Sequence, residues 1–278
     1  MKFLNVSKAV CHPDNPESEQ FDIIVIVWSL ITDFYNRMRY RQLYSNITNQ
    51  QAKPINDMKI GLVFFVGMPS TRINPIYKHS GFDFNLLDGY GGLADAQAVR
   101  KVTNQLQEEI VQHDDVIVGD FEDTFFNDTM KKHYSFVWAS TFCRKSKPTI
   151  LFLGSGDAFK SNRLTDILSA MPTRKRESLL HGTLSSLDNE FISRGMPRVN
   201  WAVSKEEVAF PTYPPYISGA DMLVGFKSLQ HITLGMYFTK LFHTADAWVT
   251  ITAIRSRLHV QRFNDITNYK NHYIYSLP

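Results

Sequence analysis

The residue with the plainest chemical potential is a carboxylate that follows an apolar run: Leu151, Phe152 and Leu153 lead into Gly154-Ser155-Gly156-Asp157. In open α/β sheets, ligands bind beyond the carboxyl ends of strands, so Asp157 is a candidate site residue. The plainer alternative is turn chemistry, with Asp157 capping the helix that follows. Arg37, Arg39 and Arg41 form a second cluster. Such a cluster is usually a solvated helix face, but near the ligand edge of a sheet it can turn guanidinium groups onto phosphates. The nine histidines include no HExxH pair. His231 and His259 sit in apolar and aromatic surroundings, where a structural histidine is the default. A GxSxG elbow, a P-loop and a GxGxxG fingerprint are all absent.

These residues need elements to hold them. Residues 23–31 (IIVIVWSLI) read as a strand covered on both faces, and residues 33–44 as the helix carrying the arginines. Residues 58–66 form a second buried strand, and the glycine-rich stretch 74–94 an irregular loop. Residues 96–112 read as a helix, 116–118 as a short strand, and 130–142 as another helix. Residues 149–153 form the strand ending at Gly154. In the second half, 208–216 is a stiff Pro/Tyr loop, 229–242 has helical spacing, and 247–254 (AWVTITAI) is β-rich and predicts a strand. Strands alternating with helices define an α/β domain with a largely parallel sheet. With no repeat and no Pro/Gly linker, residues 21–278 read as one domain preceded by an N-terminal segment, 1–20.

The 278 residues suffice for a sizeable core, and 44% hydrophobic with 21% charged residues excludes disorder. A net charge of +3 is too small to argue for a nucleic-acid or anionic-membrane surface. The longest apolar run is half the ~20 residues a membrane-spanning helix needs. Cys11 and Cys143 are too few for a disulfide-dense scaffold or a Cys-rich zinc site, but can form one bridge.

Several segments, in order, resemble the β-1,3-galactosyltransferase family (glycosyltransferase family thirty-one). Arg37-Met38-Arg39-Tyr40-Arg41-Gln42-Leu43-Tyr44 stands where the family has R-x-x-I-R-x-T-W, and Phe64-Phe65-Val66-Gly67 is similar to its F-x-L-G strand. The run from Gly119 to Thr129 (GDFEDTFFNDT) resembles G-D-F-x-D-x-Y-x-N-L-T, and Trp138 to Cys143 resembles the helix after it. Trp201-Ala202-Val203-Ser204 with Glu206-Glu207 is similar to W-x-V-S-x-E-E, and Tyr213 to Gly219 (YPPYISG) to Y-P-P-Y-C-S-G.

The resemblance implies a GT-A fold, a Rossmann-like sandwich that binds a UDP-sugar and transfers the hexose with inversion to a glycan or glycoprotein acceptor. It usually implies Mn²⁺, a hard cation that stabilises the departing diphosphate, and a carboxylate that takes the acceptor's proton. It implies nucleotide contacts from Arg37, Arg41, Asp157, Ser218 and Gly219. Two motifs depart from the family. Its D-D-D becomes Ser155-Gly156-Asp157, which leaves Mn²⁺ doubtful and with only Asp157 and the late His259 as ligands. Its E-D-V-Y-V-G is read at Gln230-His231-Ile232-Thr233-Leu234-Gly235, which makes His231 the base. The alternative to a divergent hexosyltransferase is a member that kept the fold and lost turnover, binding sugar or a protein partner. The resemblance also implies a Golgi lumen address, though this chain has no anchor helix, and cysteines near Cys11 and Cys143 in family members.

Overall fold

The computed structural model describes residues 1–15, 21–48, 53–72, 74–185, 190–196, 198–262 and 267–268. In chain order, β1 (Phe3–Asn5) and β2 (Ile23–Trp28) lead to α1 (Phe34–Tyr44). Next come β3 (Ile60–Met68), a hairpin of β4 (Ile76–His79) and β5 (Phe82–Asn85), and α2 (Ala96–His113). β6 (Val116–Glu122), α3 (Asp128–Phe142), β7 (Thr149–Gly154), β8 (Ala158–Phe159), α4 (Ser161–Ser169) and α5 (Thr173–Glu177) follow. The chain continues through β9 (Leu180–Leu184), β10 (Ile217–Val224), α6 (Phe226–Met236), α7 (Ala245–Arg255), β11 (Gln261–Arg262) and β12 (Thr267–Asn268).

The main sheet has the order β1-β6-β3-β2-β7-β10-β9-β11. Its centre, β6-β3-β2-β7, is parallel, and β10 runs antiparallel to β7. The pleat of β2 explains why its run is apolar throughout. Ile24, Ile26 and Trp28 pack into the core under α3, α6 and α7, while Ile23, Val25 and Val27 face the core with α1 and α4. Each such side chain, removed from water on both faces of the sheet, contributes roughly 1.5–3 kcal/mol. The fold is therefore the mostly parallel α/β sandwich that the alternating pattern predicts.

Three differences from the sequence reading stand out. Residues 247–254 are helical: Thr250 and Thr252 donate their hydroxyls to Asp246 O and Trp248 O one turn back, so β-branched residues fit a helix that tertiary packing buries. Residues 76–85 form a hairpin within the stretch read as loop. The N-terminal segment is not separate from the domain. β1 pairs with β6, Val10 and Cys11 are buried, and Cys11 is bonded to Cys143 with Cα atoms 4.8 Å apart.

Candidate functional site

The two arginines expected to face a nucleotide are turned inward. Arg37 is fully buried, and its guanidinium donates to Glu109, to Ser29 Oγ and to the carbonyls of Leu30 and Ile31. No N–H remains for a phosphate. Arg41 pairs with Glu109 at 2.8 Å and with Asp115 at 2.7 Å, and its guanidinium lies over the Phe64 ring. Burial works to raise the Glu109 carboxyl, but Arg37 and then Arg41 hold it below its ordinary range; burial lifts Asp115 despite Arg41. The two arginines tie α1 to α2 and to the amino end of β6, whereas Asp157 lies beyond the carboxyl end of β7.

Asp157 closes a turn, as in the plainer alternative, but it caps no helix: the N-cap of α4 is Lys160. Its carboxylate accepts the Gly154 N–H at 3.2 Å, its own N–H returns to Gly154 O, and its carbonyl accepts the Tyr40 hydroxyl. Burial raises its carboxyl, with the charge of Asp221 adding to the effect. His259 is exposed beyond the end of α7. A hard divalent cation needs several oxygen ligands. One carboxylate committed to its own turn does not supply them, so these residues do not make a Mn²⁺ site. His231 lies on the exposed face of α6 and does not line the cavity at the sheet edge. Ser218 and Gly219 lie in β10, at the same sheet edge as Asp157; their contacts fall outside the described residues.

A cavity of about 520 Å³ does open at that edge. It lies beyond the carboxyl ends of β2 and β6, with Leu30 and Thr124 in its wall, and its volume suits a small-molecule or oligosaccharide site. The Tyr-Pro-Pro-Tyr loop supplies Tyr213 and Tyr216, whose hydroxyls donate to Thr244 Oγ1 and Glu190 Oε2. Trp201 and Phe125 meet edge to face with centroids 5.2 Å apart. Gly91 brings the neighbouring loop against β6: its φ is +91°, and a Cβ there would lie 2.7 Å from the Asp123 carbonyl.

Besides Glu190 and Arg198, which pair at 3.1 Å, the cavity takes ionic groups from two helix starts. Asp128 and Lys131 stand in the first turn of α3, and Asp246 in the first turn of α7, where the helix dipole favours a negative charge. Lys131 pairs with the buried Asp123 at 2.7 Å and donates to Ser29 O. Lys132 pairs with Asp246 and, at 3.4 Å, with Asp128, and lies 4.7 Å over the Trp28 ring. Burial alone would lower the Lys132 ammonium, yet Asp246 and Asp128 hold it above its ordinary value, so the lysine stays charged. Aromatic faces with carboxylates between them are what a polyhydroxyl ligand requires: C–H faces to stack on, and acceptors for its hydroxyls.

Asp246 lines this cavity, and His231 does not. Thr244-Ala245-Asp246-Ala247-Trp248-Val249 places an aspartate, an aromatic residue and a valine at the spacing of D-V-Y-V, and this reading sets the motif at the start of α7 rather than inside α6. The signal was present in the sequence; reading 247–254 as a strand concealed it.

The sheet and a cavity at its carboxyl edge define an α/β protein of the kind that binds a small ligand at strand ends. Residues 92–264 match the model of the Galactosyltransferase family, and the chain belongs to that family. It is 23% identical over 249 residues to human UDP-GlcNAc:betaGal beta-1,3-N-acetylglucosaminyltransferase 9, covering 89% of this chain and 56% of that protein. It is 24% identical over 165 residues to Drosophila melanogaster Beta-1,3-galactosyltransferase brn (58% and 49%), and 30% identical over 117 residues to human Beta-1,3-galactosyltransferase 5 (42% and 36%). The chain spans about half the length, or less, of these curated relatives.

Proposed function

We propose that the protein is a β-1,3-hexosyltransferase that uses a UDP-sugar donor and a glycan acceptor, with Asp246 as general base. Family membership supports the donor class. The observation that carries the reading is Asp246 itself, a carboxylate paired with Lys132 in the wall of an aromatic cavity at the ligand edge of the sheet. In the proposed reaction the acceptor hydroxyl attacks the anomeric carbon from the face opposite UDP. The new C–O bond forms as the bond to the diphosphate oxygen breaks, the configuration inverts, and Asp246 accepts the hydroxyl proton. Lys132, paired with Asp246, fixes the position of its carboxylate in the cavity wall. The donor would lie along the strand ends, near the Gly154–Asp157 turn and Ser218-Gly219. The Cys11–Cys143 bridge supports an oxidising compartment such as the Golgi lumen, and among the described residues no helix is long and apolar enough to cross a membrane.

A second reading is favoured by the inward-turned Arg37 and Arg41 and by the commitment of Asp157 to its own turn: a carbohydrate-binding member without turnover. Transfer from UDP-galactose and UDP-GlcNAc to β-galactoside and GlcNAc-terminated acceptors, with UDP binding titrated with and without Mn²⁺, separates the two. The first expects turnover, and a loss of about 10²–10⁴ in kcat for Asp246→Asn with UDP affinity retained. The second expects glycan binding and no transfer. Turnover unchanged in Asp246→Asn would remove the base assignment.

A further inference from the structure

Among the described residues, one group of three metal-ligating side chains lies close together, outside the Asp157 turn: His79, Glu207 and His243, each offering a ligand atom within 4.8 Å of the others. They come from three segments distant in sequence, namely the end of β4, the Trp-Ala-Val-Ser-Lys-Glu-Glu element and the loop before α7. We propose that His79, Glu207 and His243 form a zinc site.

The imidazoles are already prepared for it. Nε2 of His243 lies 2.9 Å from Asn200 O, and Nε2 of His79 lies 3.1 Å from Ala202 O. A carbonyl can only accept, so each ring carries its proton on Nε2 and presents a bare lone pair at Nδ1. Metal-bound histidines are fixed in this way, by a backbone carbonyl that holds the opposite N–H. Nδ1 of His243 is buried and has no hydrogen-bond partner, although the residue is only 6% exposed. A buried lone pair without a donor is costly unless something completes it. Glu207 brings the negative charge. Its Oε2 takes the Ser204 N–H and the Ser80 hydroxyl and stands 3.9 Å from His79 Nε2, so the carboxylate is held beside the His79 ring.

Two imidazoles and one carboxylate suit Zn²⁺ better than Mg²⁺ or Ca²⁺. Zinc bonds of about 2.0–2.2 Å bring ligand atoms to roughly 3.3–3.5 Å from each other, so the widest pair must close by about 1–1.5 Å. Three protein ligands leave a fourth position open for water or an oxygen ligand. His243 lies in the cavity wall three residues before Asp246, so the ion would fix the start of α7 against the β4–β5 hairpin.

The test uses the full chain, stripped with chelator and titrated with Co²⁺, followed by visible absorption, and with Zn²⁺, followed by calorimetry and thermal melting. One equivalent of Co²⁺ should give the intense bands of a four-coordinate site, and Zn²⁺ should displace it and raise Tm. Removing a ligand should cost at least the roughly 100-fold that losing a ligand's supporting partner costs. Glu207→Gln, which keeps the side chain's shape, and His243→Ala should both show it. A His231→Ala, His259→Ala double variant, altered at two exposed histidines, should bind as the parent does. Absence of the cobalt bands, parental affinity in Glu207→Gln, or loss of binding in the double variant would each overturn the site.

Discussion

Replacing Glu109 with Gln would leave the guanidinium of Arg37 charged, fully buried and short of its anionic partner. Breaking a buried pair from one side costs about 3–5 kcal/mol, because the remaining charge has no water to receive it. We expect the urea midpoint of Glu109→Gln to fall accordingly. Glu109 has its carboxyl pKa lowered in the fold, so its stabilisation is present above the unfolded carboxyl range and is lost as pH falls through the folded value. The parent should lose stability on acidification below about pH 4.5, and Glu109→Gln should lose less over the same interval. A phosphate-binding role for Arg37 makes a different forecast, a fall in UDP affinity with an unchanged urea midpoint. The contacts of its guanidinium favour the first outcome.

The layer of α3, α6 and α7 contains a pH-sensitive contact. His133 of α3 packs against Tyr237 and Trp248, and neither of its ring nitrogens has a hydrogen-bond partner. Burial, with the charged N-terminus adding to it, pushes its pKa down to about 4, against an unfolded value near 6.5. Between those values the unfolded chain binds the extra proton, so stability falls as pH drops from about 6.5 to about 4, by about 3 kcal/mol in all. His133→Phe should flatten that part of the Tm–pH curve; an unchanged slope would show that the ring is hydrated. These helices also show where sequence stops informing. α3 and the strands of the parallel core could be read from apolar runs and punctuation, because local pattern and burial agree there. α7 could not. Ala-Trp-Val-Thr-Ile-Thr-Ala-Ile has strand composition, and only packing against α6 and β10 makes it a helix. Asp246 was missed for that reason. His79, Glu207 and His243 have no mutual signal along the chain, since the hairpin, a loop and a helix start bring them together only in space. The arginines were legible as a cluster, but their inward orientation depends on Glu109 and Asp115, 72 and 74 residues away.

Considered as a whole molecule, the fold is stitched once. The Cys11–Cys143 bond closes 132 residues of sequence separation, and in the chain-entropy account a loop of that size is worth about 5 kcal/mol, with 2–5 kcal/mol the usual measured cost of removal. Cys143→Ala should therefore melt well below the parent, and reductant should lower the parent's Tm toward it without affecting the variant. The bond has a mechanical consequence too. The loop encloses β2, β3 and β6 with α1, α2 and α3, three of the four parallel core strands among them. Under tension applied between the two chain ends, the covalent path bypasses that loop from one sulfur to the other. At ~3.4 Å per residue, about 450 Å of contour length stays out of reach until the bond is reduced. A single molecule stretched in buffer should lengthen by only its remaining residues, then gain that hidden length in one step when a thiol is added.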